Sequence, residues 1–280
     1  MADTAYKYSG EGGLNILQTL ELKITPPDQF NDPFEFVPHV VSSNPKREIN
    51  RHLKGKDVVR EMFEFEKQNG KFSGNFRQYR EHFKKGRARM AVLLSEDYSD
   101  LADRLQSNFQ NNLSDKVGVL CMASNRTSIV MWGHYCDKHR GLVIGFDMSY
   151  ATFRLDMGMR PVEYVRERPI FDTSWNRGSA QEESFKKTDF LKNDEWKYEE
   201  ELRQVFRLQG LNKRRLDDNS IGCFLPFEPS ALVSVTLGAK ASKSFEKTVR
   251  STLSQPQFSH ITLERARLHK REFQMEFDRV

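Results

Sequence analysis

Trp196-Lys197-Tyr198-Glu199-Glu200-Glu201-Leu202-Arg203 sets large aromatics among closely spaced charges. Extended to Leu208 and read as a β-strand, it sorts its side chains onto two faces. Trp196, Tyr198, Leu202, Phe206 and Leu208 share one face with Glu200 and Gln204. Lys197, Glu199, Glu201, Arg203, Val205 and Arg207 share the other. The aromatic face reads as core. The opposite face opens with two carboxylates and an arginine at two-residue spacing. On an exposed sheet, such a row is a solvated and self-paired face. In a cleft, it is a carboxylate pair held and ionised by Arg203.

The strands that would accompany this one lie on both sides of it in sequence. Residues 5–9, 20–25, 117–122, 141–146, 162–165 and 232–237 read as strands, and 261–268 with 272–277 as a closing pair. Leu14 to Leu20, Ser128 to Asp137, residues 180–195 and a helix capped by Ser242 read as helical. So does 46–113, where Leu101, Leu105, Phe109 and Leu113 recur every four positions. Strands and helices do not alternate regularly, which argues against a doubly wound parallel sheet. The expected class is α+β: a mixed, mostly antiparallel sheet, whole or split, with flanking helices. The expected organisation is a single domain over 1–280 with 46–113 as a helical insertion or subdomain.

Composition narrows the function classes. The 280 residues are 38% hydrophobic and 30% charged, with a net charge of +5. No window approaches a membrane-spanning length, and the N-terminus has no basic-then-apolar signal pattern. The default expectation is a cytoplasmic protein with no membrane partner. Cys121, Cys136 and Cys223 form no CxxC pair, so reduced thiols are expected rather than disulfides or structural zinc. Residues 46–90 carry 14 Lys/Arg against 6 Asp/Glu, a surplus of 8. That segment is either a solvated helical face or an attractor for phosphate.

No GxxxxGK[ST], HExxH or GxSxG motif is present, and no GxGxxG follows a strand. His134, Asp137 and His139 are too irregularly spaced to share one helix face, so no metal is expected. Two further stretches combine aromatics with polar groups: Asn31-Asp32-Pro33-Phe34-Glu35 and Trp132-Gly133-His134-Tyr135. The first predicts a tight turn in which the Asp32 side chain binds nearby amides. Tyr6-Lys7-Tyr8 reads as half-buried aromatics on a first strand, or as a stacking platform beside a cation.

The order of these stretches resembles a bacterial family known only as a domain of unknown function, number 2971. The matching residues are Tyr6-Lys7-Tyr8, Thr25-Pro26, Phe30 through Glu35, and Cys121. Met131-Trp132-Gly133-His134-Tyr135, His139 and Gly141 follow. Lys192, Trp196, Tyr198, Glu199, Glu201, Arg203 and Leu237-Gly238 complete the set. Met122-Ala123 and Ser9 depart from the pattern. The resemblance implies a setting in mobile or phage-defence loci. A looser similarity, of arrangement only, is to ADP-ribosyltransferases: a split sheet, a first-strand basic residue (Lys7, beside Tyr8), a second-strand hydroxyl (Thr25) and a late-strand glutamate (Glu199 or Glu201).

That similarity implies NAD as substrate. Breaking the nicotinamide–ribose bond develops positive charge on the sugar, which a fixed carboxylate stabilises. Glu201 is the expected catalytic carboxylate, with Glu199 as helper or substitute and Arg203 orienting both. Lys7, Tyr8, Thr25, Asn31, Asp32, Trp132, His134 and Tyr135 are the expected NAD-binding residues. The expected partners are NAD, a nucleic-acid acceptor on the basic 46–90 segment, and an antitoxin protein. Two alternatives stand beside this toxin or defence effector. One is a nucleic-acid-binding or sensor module. The other is a metal-dependent nuclease using Glu199, Glu201, Asp32 and His134.

Overall fold

The computed structural model describes residues 4–41, 44–95, 107, 113–155, 158–172, 188–216 and 219–280. Leu101, Leu105, Phe109 and residues 180–187 lie outside them. The chain forms two compact units. The first comprises Met1–Phe36, Gln110–Glu167 and Asp189–Val280; the second comprises Val37–Phe109 and Arg168–Thr188.

In chain order the strands are β1 (Thr4–Ser9), β2 (Glu21–Ile24), β3 (His39–Val41), β4 (Val117–Ala123) and β5 (Leu142–Asp147). Then come β6 (Arg160–Pro161), β7 (Glu163–Val165), β8 (Ile170–Asp172), β9 (Leu191–Asn193) and β10 (Glu201–Arg207). The last are β11 (Asn212–Arg215), β12 (Ile221–Pro226), β13 (Leu232–Leu237), β14 (Thr262–Leu268) and β15 (Met275–Arg279). The helices are α1 (Leu14–Thr19), α2 (Pro45–His52), α3 (Lys56–Gln68), α4 (Phe76–Ser95), α5 (Ile129–Tyr135) and α6 (Lys243–Leu253).

The first unit is built on an eight-stranded sheet in the order β15-β14-β13-β5-β1-β4-β10-β6. Only the β13–β14 pair in it is parallel. The fold is therefore α+β with a mostly antiparallel sheet. Alternation along β5 covers both sheet faces. Leu142, Ile144 and Phe146 enter a large apolar cluster with Leu17 of α1 and with Phe245 and Val249 of α6. Val143 enters a second cluster with Tyr8, Trp132, Ala266 and Met275. This two-sided burial explains the near-continuous apolar run of β5.

The sheet opens between β1 and β4. These strands share a single register pair, Tyr6 with Ala123. β1 then stays with β5 along its full length. β4 stays with β10 from Val117 to Ala123. Where β1 leaves, Thr25 takes its place: Thr25 N–H donates to the Val119 carbonyl at 3.0 Å, and Val119 N–H to that of Thr25 at 2.8 Å. Thr25 extends β2, the edge of a three-stranded β11-β12-β2 sheet. The result is a fork in the sheet with β1 on one wall and β4 on the other.

The second unit contains α2, α3 and α4. Ile49, Leu53, Val59, Phe63, Tyr79 and Phe83 form its core. Strands β3 and β8 pair in parallel beside it. Arg168 ties this pair together by donating to the carbonyls of Val37 at 3.1 Å and Pro38 at 2.9 Å.

The strand expected from Trp196 is shorter than the pattern suggests. Residues Asp194–Glu199 form a 3-10 turn, and the strand starts at Glu201. Asn193 caps that turn by accepting from Glu195 N–H at 2.9 Å, and Glu200 ends it in the left-handed region at φ 44°. A local side-chain cap here wins over aromatic strand propensity. The expected helix over 180–195 is also corrected, because Leu191–Asn193 is strand β9.

Two glycines test this packing. A Cβ on Gly141 would fall 2.1 Å from the Ser9 carbonyl oxygen, whereas one on Gly133 in α5 meets nothing within 4 Å. Gly141→Ala should cost at least about 2 kcal/mol, since backbone cannot yield as a side chain can. Gly133→Ala should be neutral or stabilising by up to about 1 kcal/mol. Thermal denaturation of the two variants checks the contrast.

Candidate functional site

The fork encloses a cavity of about 310 Å³ lined by residues of both walls and of the turn after β2. Tyr6, Lys7 and Tyr8 come from β1, and Val119, Cys121, Met122 and Ala123 from β4. Gln29, Phe30 and Asn31 close one side and Tyr135 of α5 another. Lys192, Glu199 and Glu201 form the floor.

Five buried charges make up and underlie that floor. Arg203 is fully buried and donates from Nε to Glu201 Oε1 at 2.6 Å and from Nη2 to Glu201 Oε2 at 2.9 Å. The same Nη2 also binds Glu35 Oε2. Lys192 Nζ reaches three carboxylates: Glu199 at 2.5 Å, Glu201 at 2.9 Å and Glu35 at 3.0 Å. Tyr135 donates its hydroxyl to Glu199 Oε1 at 2.6 Å. The guanidinium carbon of Arg203 lies 5.2 Å from the Phe36 ring centroid and 5.7 Å from that of Phe30. Each charge leaves water at a cost of several kcal/mol, which only this density of partners can offset.

The environment pulls two of the carboxyls apart. Burial opposes ionisation of Glu201, but Arg203 and Lys192 outweigh it and hold the carboxyl down at about 2. Burial dominates at Glu35 and raises it above the usual carboxylate range, against the pull of Arg203 and Lys192. Burial pushes Asp189, near Arg203, up to about 6. Burial alone would lower the Lys192 ammonium, but its three carboxylates overcome this and raise it above the usual lysine range. The Cys121 thiol is driven well up by burial and by Glu201, to which it hydrogen-bonds. It is therefore a poor nucleophile.

Seven of the expected site residues meet at the cavity: Lys7, Tyr8, Thr25, Asn31, Tyr135, Glu199 and Glu201. Arg203 sits beneath, in contact with Glu201. Lys7 Nζ spans the fork to the Cys121 carbonyl at 2.8 Å. Asn31 Nδ2 donates to the Tyr135 hydroxyl at 3.3 Å. Asp32 does not line the cavity. It is buried and accepts from Phe34 N–H at 2.9 Å, which shapes the turn that carries Glu35. Trp132 is not at the cavity either; it is fully buried, packs edge-on against Tyr8 and donates its indole N–H to the Arg126 carbonyl at 2.8 Å. His134 is exposed on α5, with its ring set edge-on to Tyr198. Among the described residues, no three His, Cys, Asp or Glu side chains are grouped to hold a metal ion.

Glu35, Lys192 and Cys121 carry more of the site than the sequence reading gave them. Glu35 closes the Asn31–Glu35 stretch, whose predicted turn gives a role only to Asn31 and Asp32. Lys192 stands only as a motif position ahead of Trp196. An apolar neighbourhood around a lone charge was the available signal: Glu35 is flanked by Phe34 and Phe36.

Residues 131–204 match a family model described as a protein of unknown function (DUF2971). The matched segment includes Tyr135, Lys192, Glu199, Glu201 and Arg203 but not Glu35 or β1. No curated protein and no solved structure matches the chain.

The charge network has a pH signature. Glu201 is depressed on folding, so its stabilisation is fully present above its unfolded value near 4.5 and is lost as pH falls toward about 2. Glu201→Gln should remove that acid-limb dependence and lower stability at neutral pH by on the order of 3 kcal/mol. Chemical denaturation of both proteins across pH 2 to 7 measures it. Parallel curves would show that Glu201 gains nothing from its partners.

Proposed function

We propose that the chain is an NAD-consuming glycosyl transferase of ADP-ribosyltransferase type, acting as an intracellular toxin or phage-defence effector. The observation that carries this reading is an ionised Glu201 on the floor of a cleft walled by tyrosines, at a fork in the sheet. A carboxylate held ionised at every physiological pH suits stabilisation of an oxocarbenium-like sugar. Tyr6, Tyr8, Tyr135 and Phe30 offer aromatic surface for a nicotinamide ring. Lys7, on the facing strand, offers an ammonium to a phosphate. Glu199 stands beside Glu201 with its own partners, Tyr135 and Lys192, and serves as helper. The defence setting rests on the family resemblance, and so does an antitoxin partner. No helix among the described residues is long and apolar enough to cross a membrane.

A second reading is favoured by one feature of the helical unit. Lys46, Arg47, Arg51, Lys54, Lys56 and Arg60 are all exposed along α2 and α3. This surface suits a nucleic-acid backbone, either as the acceptor of the transferred group or as the ligand of a sensor module. A nuclease using Glu199 and Glu201 is less well supported, because Lys192 and Arg203 already occupy the positions from which a metal would bind those carboxylates.

Incubation with NAD and measurement of free nicotinamide tests the first reading. Wild type should release it, and Glu201→Gln should lose about a hundredfold or more in rate, roughly 3 kcal/mol of transition-state stabilisation. Glu199→Gln should lose less. Full activity in both variants ends the transferase reading. Salt-sensitive RNA or DNA binding without nicotinamide release favours the sensor.

A further inference from the structure

The chain passes between the two units four times. One passage, at Phe109–Gln110, lies outside the described residues. The others are Phe36–Val37, Glu167–Arg168 and Thr188–Asp189. On the side of the first unit, each of these three adjoins a group bonded to the charge cluster. Glu35 and Phe36 meet Arg203 just before the first passage. Tyr164, shortly before the second, accepts from the Glu201 N–H at 2.8 Å. Asp189, at the third, accepts at its carbonyl from Arg203 Nη1 at 3.3 Å. Strands β7 and β9 pair the second and third segments in parallel, with Tyr164 opposite Lys192. On the side of the second unit, β3 and β8 pair the first and second segments in the same way, and His39 N–H donates to the Pro169 carbonyl at 2.8 Å. Strands β13, β14 and β15 and helix α6 carry no passage.

Phe36, the last residue of the first unit, is also the strained one. Its φ of 59° is left-handed, which a bulky side chain adopts only when its surroundings hold it there. Those surroundings are Arg203, beside its ring, and Glu35, bonded to Arg203 and Lys192. A return of Phe36 to negative φ re-aims Glu35 relative to Val37, so the position has two discrete states. The second unit supplies an input. Arg77, Arg80, Lys84, Lys85 and Arg89 are exposed along α4, whose one acid is Glu81. Arg87 Nε donates to Asn50 Oδ1 at 3.0 Å, which joins α4 to the basic α2.

We propose that the helical unit regulates the cleft: a nucleic-acid backbone bound along α2 and α4 favours the state in which Phe36 has turned to negative φ and Glu35 has left Arg203 and Lys192. This rests on two readings argued above, the cleft as a substrate site and the basic face as a nucleic-acid surface, and adds the link between them. With Glu35 withdrawn, Glu199 and Glu201 hold both cations alone. The occupant of α4 thereby sets the surroundings of the catalytic carboxylate. The link is reciprocal: whatever unseats Glu35 raises affinity for the nucleic acid.

Amide hydrogen exchange of the whole chain, alone and saturated with an oligouridine strand or a DNA duplex, tests this. Exchange should rise in Leu191–Asn193 and Glu201–Arg207 and stay unchanged in Leu232–Leu237 and Lys243–Leu253. A rise with one probe alone identifies single strand or duplex as the ligand. Probe affinities of three variants, each verified as folded by circular dichroism, read the link from its other end. Glu35→Gln should bind roughly fivefold more tightly than wild type. Phe36→Gly should bind roughly threefold more weakly than Phe36→Ala, because both lose the ring and only glycine escapes the left-handed strain. Failure of both probes to bind at low salt overturns the inference. So does saturation that leaves β9 and β10 unchanged, or a change that β13 and α6 share equally. Equal affinities across wild type and folded variants do the same. Where the variants do not fold, wild-type exchange decides alone. Exchange that responds to the probe in a chain releasing no nicotinamide removes the transferase and keeps the link. Nicotinamide release with exchange indifferent to bound probe does the reverse.

Discussion

The Arg203–Glu201 pair is the constraint on which the cleft depends. A guanidinium at 0% exposure requires carboxylates, and the fork supplies them from both sides of β10: Glu201 from the strand itself and Glu35 from the turn after β2. The planar fork of Arg203 fixes the Glu201 carboxylate in two bonds, which lysine cannot do. Lys192 then ties Glu199 to the pair from β9. Removing one member leaves the others charged and buried, so the cluster stands or fails as a unit.

A core built for stability alone would replace these charges with apolar groups of similar volume at little cost or some gain. This one retains five, and three of them face a cavity. Buried charge kept at a cavity wall is an arrangement suited to chemistry, where preorganised dipoles and ions act without reorganising. Phe36 adds a local sign of the same kind. It takes φ 59°, unfavourable for a bulky residue, next to Glu35 and against Arg203.

The fold class was legible because strand alternation and continuous apolar runs are local signals. β1, β4, β5, β13 and β14 sit where the pattern places them, and β15 begins three residues later than the pattern suggests. The fork was not legible, because it depends on Thr25 replacing β1 beside Val119, a contact between residues 94 apart. Of the candidate site, Glu201, Glu199 and Arg203 were readable as one strand face, though Glu199 reaches the floor from a 3-10 turn. Trp132 and His134 misled because an aromatic–polar motif on a short helix does not reveal which face turns inward. The helix buries Trp132 and leaves His134 in water. Glu35 was hidden because its partners are remote.

That remoteness ties the cleft to the timing of synthesis. Glu35 and Arg203 are separated by 168 positions, and Lys192 precedes Arg203 only shortly. A growing chain exposes β1, the turn after β2 and β4 long before any cation that can neutralise Glu35 has been made. Until β10 emerges, the walls have no floor, and Glu35 has every reason to stay in water. The charge cluster therefore cannot be complete before residue 203 has been made, because it closes a separation of 168 positions. A fragment released early carries the walls of the cleft without the charges beneath it.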